Sequence, residues 1–231
     1  MLNENVIYYS RIESGRWSTP ERIGFGEEFD VLDPFFSPDG NRIWFLSFHP
    51  DRPGGSERER IWYAERSSDG WTPPKLIDDC VNAHPTHWSF SVSAGGNLYF
   101  TSEIAGEENQ DVYCSKFDGE KYLFPVKLGP QINTDAKEFA PFVSPDESYL
   151  LFCRIGSGTG KSDIYLSFRQ PDGTWSEAIA LDKPVNSKEH ELAPRVSPGG
   201  KYLFYISQKE VMNGMHWVSA KIIKELRQKI N

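Results

Sequence analysis

Apolar residues in this chain come in short runs separated by polar turns, and the runs repeat. An apolar-aromatic step reads Val6-Ile7-Tyr8, Arg60-Ile61-Trp62, Asp111-Val112-Tyr113, Asp163-Ile164-Tyr165 and Met215-His216-Trp217. Its third member recurs every 54, 51, 52 and 52 residues. Between these steps lies a second marker, a Ser-led turn followed by an apolar run. It appears as Ser37-Pro38-Asp39-Gly40 before Ile43-Trp44-Phe45, Ser93-Ala94-Gly95-Gly96 before Leu98-Tyr99-Phe100, Ser144-Pro145-Asp146-Glu147 before Tyr149-Leu150-Leu151-Phe152, and Ser197-Pro198-Gly199-Gly200 before Tyr202-Leu203-Phe204-Tyr205. Self-similarity at this period means that neighbouring units bury a shared core.

Each unit divides into four strands. A short first strand, such as Phe139-Ala140-Pro141-Phe142-Val143, leads into the Ser turn, where Pro presets φ and the following Asp-Gly tolerates φ > 0. The second strand lacks alternation, as expected of a strand covered on both faces. The third carries the apolar-aromatic step and turns at Ser14-Gly15, Asp69-Gly70, Asp118-Gly119 or Asp172-Gly173 into a fourth opened by Trp17, Trp71, Tyr122 or Trp175. Four antiparallel strands per unit of about fifty residues describe a propeller blade. The expected fold is therefore an all-β propeller of about five blades in one domain, residues 1–231. The N-terminal blade is incomplete, because the chain opens on a third and fourth strand. At the other end Lys221–Leu226 reads as a short amphipathic helix in place of a fourth strand.

Three phrases, Phe36-Ser37-Pro38-Asp39-Gly40, Glu138-Phe139-Ala140-Pro141-Phe142-Val143-Ser144-Pro145-Asp146 and Leu192-Ala193-Pro194-Arg195-Val196-Ser197-Pro198, resemble the WD40-like PD40 repeat of TolB-type propellers. The tail Trp217–Leu226 is similar to the end of small bacterial PD40-repeat proteins. The resemblance implies a propeller, common in exported bacterial proteins, that binds or scaffolds. It implies no reaction. The turn Asp is missing at Ala94-Gly95-Gly96 and at Gly199, which argues against a functional role for it.

Composition narrows the partners. Lys and Arg number 25 against 33 Asp and Glu, a formal charge of -8, so nucleic acid and anionic membranes would be repelled. No apolar stretch is long enough for membrane insertion. Cys80, Cys114 and Cys153 lie far apart, without a zinc-cluster or disulfide-scaffold spacing, and the latter two fall inside strands as small hydrophobes. No cofactor is indicated. The N-terminus lacks a basic-then-apolar leader, while the repeat register starts mid-unit; the expected compartment is periplasmic or extracellular if a signal precedes Met1, and cytoplasmic otherwise.

Polar residues gather where each unit approaches its first strand, the part of a blade that lines the central channel: Asp30 and Asp33, His84 and His87, Asp135 and Glu138, and Glu189, His190 and Glu191. Such a ring could take a ligand or cation, or supply a carboxylate pair for glycoside chemistry; the plainer reading is that these residues cap strand starts. Trp88 beside His87 offers an aromatic platform. Of the other tryptophans, Trp17, Trp71, Trp175, Trp62 and Trp217 are assigned to blade packing by their repeat phase. The candidate ligand-binding set is Asp33, His87, Trp88, Glu138, Glu191 and Arg195, with no catalytic and no metal-ligating residue nominated. Gly156–Lys161 lacks the strand-to-helix context of a phosphate loop, and no Gly-x-Ser-x-Gly elbow is present. The reading is a non-catalytic binding propeller for a protein or glycan partner, with a carbohydrate-active enzyme using channel carboxylates as the alternative.

Overall fold

The structure is a computed structural model that describes residues 5–24, 30–50, 55, 57–103, 109–156, 161–208 and 213–230. Residues 157–160 of the Gly156–Lys161 stretch lie outside the described residues. Successive antiparallel sheets form four propeller blades. Blade one comprises Val31–Phe36, Arg42–Ser47 and Arg60–Ser67, with a fourth strand broken into Gly70–Trp71 and Lys75–Leu76. Blade two comprises Ser91–Val92, Leu98–Glu103, Gln110–Ser115 and Val126–Lys127; blade three comprises Lys137–Val143, Tyr149–Ile155, Ser162–Phe168 and Ile179–Ala180. Blade four has His190–Val196, Tyr202–Gln208 and Asn213–Ser219, followed by the helix Lys221–Ile230. Ahead of blade one lie two strand pairs, Tyr8–Tyr9 with Glu21–Arg22 and Ile12–Glu13 with Arg16–Trp17, which are the third and fourth strands of an incomplete blade.

The core sits between blades. Trp44, Ile61, Phe90, Phe100 and Tyr113 fill the junction of blades one and two, and Tyr99, Val112, Leu150, Phe152 and Trp175 that of blades two and three. Between blades three and four, Leu151, Ile164, Phe168, Leu203 and Tyr205 are joined by Ile223 of the helix. The N-terminal strands pack Ile7 and Ile23 against Ile43, Phe45 and Trp62. Among the described residues no helix is long and apolar enough to cross a membrane.

The Ser of each turn is there for the backbone. Ser37, Ser93, Ser144 and Ser197 each place Oγ to accept the N–H of a residue on the far side of the turn, Arg42, Asn97, Tyr149 and Tyr202. The fourth turn position has φ between 57° and 86° in every unit, at Gly40, Gly96, Glu147 and Gly200. Asp39 and Asp146 accept from their own turns, through Ser37 Oγ and Asn41 N and through Ser144 Oγ and Ser148 N.

Two tryptophans depart from the repeat. Trp217 shares its phase with Trp62 and Tyr165, yet it is 61% exposed whereas Trp62 is buried. In blades one and three that aromatic pairs with the residue eight after the turn Ser (Phe45 with Trp62, Phe152 with Tyr165); in blade four the equivalent Tyr205 pairs with His216. A slip of one residue moves a side chain to the opposite face of a sheet. Trp217 and Met215 consequently point away from blade three, onto a face that no described element covers. Trp17, on the N-terminal strands, is 72% exposed for want of a neighbouring sheet on its side.

Candidate functional site

In blades one to three the third strand is longer than the fourth strand that covers it, whose last bond reaches the carbonyl of Ile61, Val112 or Ile164 and leaves the N–H of that residue open. An asparagine side chain pairs it. Asn82, Asn133 and Asn186 each accept the backbone N–H of Ile61, Val112 and Ile164 at Oδ1 (2.8, 2.8 and 2.9 Å) and donate Nδ2 to the carbonyl of that same residue. Asn82 and Asn133 also donate to Ile77 and Leu128, where the fourth strands end. The residue before each Asn (Val81, Ile132 or Val185) is buried and anchors it.

From this clasp the chain crosses to the next first strand, and the acids of the approach hold the crossing. Glu138 is fully buried and accepts Thr134 N at 3.1 Å, Thr134 Oγ1 at 2.6 Å and Arg154 Nε at 2.7 Å. Glu191, equally buried, accepts Ser187 N at 3.2 Å, Ser187 Oγ at 2.6 Å and Ser207 Oγ at 3.1 Å. At blade two the phase is filled by His87, whose Nε2–H donates to Val81 O at 3.0 Å while its backbone N–H donates to Glu59, an acid from a preceding segment. Blade one has Val31 there. Burial pushes the Glu138 carboxyl above its ordinary value, and its hydrogen bonds oppose the shift only in part.

The rest of the polar ring is similarly scattered. His84 lies edge-on to Phe100 and Tyr113 and contacts Ser102 Oγ at 3.0 Å, its pKa lowered first by burial and then by His87. His190 Nδ1 accepts Ser162 N, Asp30 accepts Asn5 N, and Asp135 faces solvent. Among the described residues no three His, Cys, Asp or Glu converge as a metal set would. Both strand cysteines are buried, and burial raises Cys114 to about 11 and Cys153 to about 12.

The channel itself is organised by backbone strain. Asp33, Ser89, Ala140 and Ala193 share one repeat phase and all have φ between 45° and 53°, a left-handed conformation that costs an L-residue about 1–3 kcal/mol. Strand pairing shifts at this point in blades one, three and four. The next residues, at the phase of Pro34, supply carbonyls to Arg195. Its Nη2 donates to Phe90 O at 3.1 Å, and its Nη1 to Pro194 O at 3.0 Å and Pro141 O at 3.4 Å. The guanidinium also lies 5.9 Å from the Phe35 ring and 6.0 Å from that of Phe142. Phe35, Ser91, Phe142 and Arg195 occupy equivalent positions, so a single arginine at this level touches all four blades. Burial lowers the Arg195 guanidinium to about 10, with the Asp33 carboxylate opposing the shift, so it stays charged at neutral pH.

Three of the six candidate residues, Glu138, Glu191 and His87, thus sit inside the crossings rather than at the channel surface. Asp33 and Trp88 are exposed at the mouth, where Asp33 Oδ2 accepts Ser89 N at 3.0 Å and so links blades one and two. Trp88, the residue before Ser89, is 50% exposed. Arg195 lies deeper, committed to carbonyls.

No protein-family model matches the chain, and no curated protein sequence matches it. Solved structures do. The chain aligns over 94% of its length with 70% of a protein assigned as TolB from Agrobacterium tumefaciens, at TM-score 0.64 and 18% identity. TolB from Acinetobacter baumannii gives TM-score 0.57 at 17% identity, covering 95% of this chain and 50% of that one. The fold is a β-propeller resembling TolB. An endo-arabinase from Bacteroides thetaiotaomicron shares it at TM-score 0.54 and 16% identity, over 83% of this chain and 76% of that one. Identities this low establish the architecture and leave function to the site.

Two outcomes follow for the site. Arg195→Met removes a charged donor from three carbonyls and should cost about 3 kcal/mol in urea denaturation, with Arg195→Lys recovering only part; unchanged stability in Arg195→Met would show that the guanidinium does not tie the blades. For Glu138, the folded value lies above the unfolded one of 4.5, so the native state holds the proton longer. Its contribution is full below pH 4.5 and is lost as pH rises through the folded value. Melting curves of parent and Glu138→Gln across this window should show the parent losing ground as pH rises; a parent that gains on the variant would reverse the assignment.

Proposed function

We propose that this chain is a PD40-type repeat propeller that acts as a non-catalytic binding scaffold, taking a protein or glycan partner at the channel mouth. One observation carries the reading: the approach acids spend their carboxylate oxygens on crossing loops, while Trp88 and Asp33 stay accessible. An exposed indole one residue from the amide that fixes the Asp33 carboxylate suits stacking against a sugar ring or an apolar side chain. The four-bladed frame supplies rigidity, so binding needs little ordering of the receptor.

The alternative, a carbohydrate-active enzyme, draws support from the endo-arabinase likeness at the level of fold alone. Glycoside hydrolysis uses two carboxyl groups flanking the scissile bond, one of them able to deliver a proton. Glu138 has a raised pKa, as a general acid would, but Thr134 and Arg154 surround it where substrate would have to be.

Melting temperature measured against a panel of oligosaccharides and peptides tests the proposal, because a ligand specific to the folded state raises it by mass action. At least one class should give a saturable rise that Trp88→Ala abolishes without lowering the unliganded melting temperature. Release of sugar from any oligosaccharide, lost in Glu138→Gln or Glu191→Gln variants that remain folded, would replace the scaffold with the enzyme.

A further inference from the structure

A second site lies on the rim of the propeller, away from the mouth. A groove of about 380 Å³ runs between the outer strands of blades two and three, over a floor that includes Tyr99, Cys114 and Trp175. Its outer wall is Leu123, Phe124 and Val126, which expose 43%, 82% and 66% of their surfaces. The repeat shows how unusual this wall is. After the aromatic that opens the fourth strand, the other units continue Ser18-Thr19-Pro20-Glu21, Thr72-Pro73-Pro74-Lys75 and Ser176-Glu177-Ala178-Ile179, whereas blade two continues Leu123-Phe124-Pro125-Val126. Where the others carry a hydroxyl that caps a third-strand N–H, as Thr72 does for Glu65 and Ser176 for Phe168, blade two carries leucine. Exposed large apolar residues in a row signal a contact surface.

Charge specifies the contact. The cations on the wall are Lys116, Lys127 and Arg169, and among the described residues no carboxylate lines it. This stands out on a chain of net charge -8. Lys127 is committed to Asp111 at 2.6 Å. Lys116 and Arg169 have no ion-pair partner among the described residues; the Arg169 guanidinium carbon lies over the Trp175 ring, 4.9 Å from its centroid. Both cations line the groove together with Cys114, and both act to lower its thiol pKa against the larger effect of burial. Glu147, the carboxylate that comes near, accepts from Tyr99 OH at 2.9 Å and from Asn97.

We propose that this groove binds a small amphiphilic carboxylate, its head group between Lys116 and Arg169 and its short acyl chain over Leu123, Phe124 and Val126. The volume is at the lower end for small-molecule sites and suits such a ligand. Apolar burial supplies affinity, and the cations select the sign of the head group.

Calorimetric titration of the full chain with octanoate tests this, with octyltrimethylammonium as the probe of opposite charge. Octanoate should bind saturably below its micelle concentration, and Lys116→Glu and Phe124→Ser should each weaken it about tenfold, close to 1.4 kcal/mol. Both positions are solvent-exposed, so the variants should fold; unchanged melting temperatures confirm this before titration. Equal binding of the cationic probe, retention of affinity in both variants, or no saturable octanoate binding would each overturn the proposal.

Discussion

A β-strand that outruns its neighbour leaves N–H and C=O groups that must be paired if they are buried. In this propeller that constraint falls on the third strands of blades one to three, and one asparagine at each junction between the four blades meets it. The carboxamide offers a carbonyl and an N–H in the spacing a backbone would, so it substitutes for a residue of the missing fourth strand. Because the Asn belongs to the segment entering the next blade, the same bonds that finish one sheet fix where the following one begins. Thr134 and Ser187 come next in the chain, and their bonds to Glu138 and Glu191 extend that fixation to the first strand.

The channel depends on these entries. Once the first strand is positioned, the left-handed residue at Asp33, Ser89, Ala140 and Ala193 breaks the pairing, and the carbonyls that follow become available to Arg195. A guanidinium is suited to this task, since its planar fork can reach several acceptors at once and remains charged when burial lowers its pKa. Arg195 thereby ties the four blades together at this level, and the proposed partner site is placed at the mouth for that reason. Mouth and rim then divide the chemistry: an aromatic and an acid at one, an apolar wall with Lys116 and Arg169 at the other.

How much of this the amino-acid sequence declares depends on whether a feature repeats as a residue or as an environment. The blades, the Ser turns, the incomplete N-terminal blade and the terminal helix are all legible, because periodic apolar runs translate directly into sheets. The approach acids are legible as a repeated position, but their burial is not. Whether Glu138 faces the channel or the crossing is decided by Thr134 and by Arg154, sixteen residues away in sequence. The asparagines carry a usable signal of their own, an aliphatic residue followed by Asn at 82, 133 and 186, five residues ahead of the His87, Glu138 and Glu191 phase. Trp217 misleads for a different reason. Its phase is that of Trp62, and only the pairing of Tyr205 with His216 reveals that the face has changed.

Amide hydrogen exchange reads the asparagine clasps directly. The N–H groups of Ile61, Val112 and Ile164 are bonded to side chains rather than to a strand, so in a conventional blade edge they would exchange by local fraying. If the clasps lock each blade to the next, these three amides exchange only through global unfolding, at the rate of the core amides of the same strands. Exchange as fast as that of exposed turn amides would mean that the asparagines decorate the junctions without holding them.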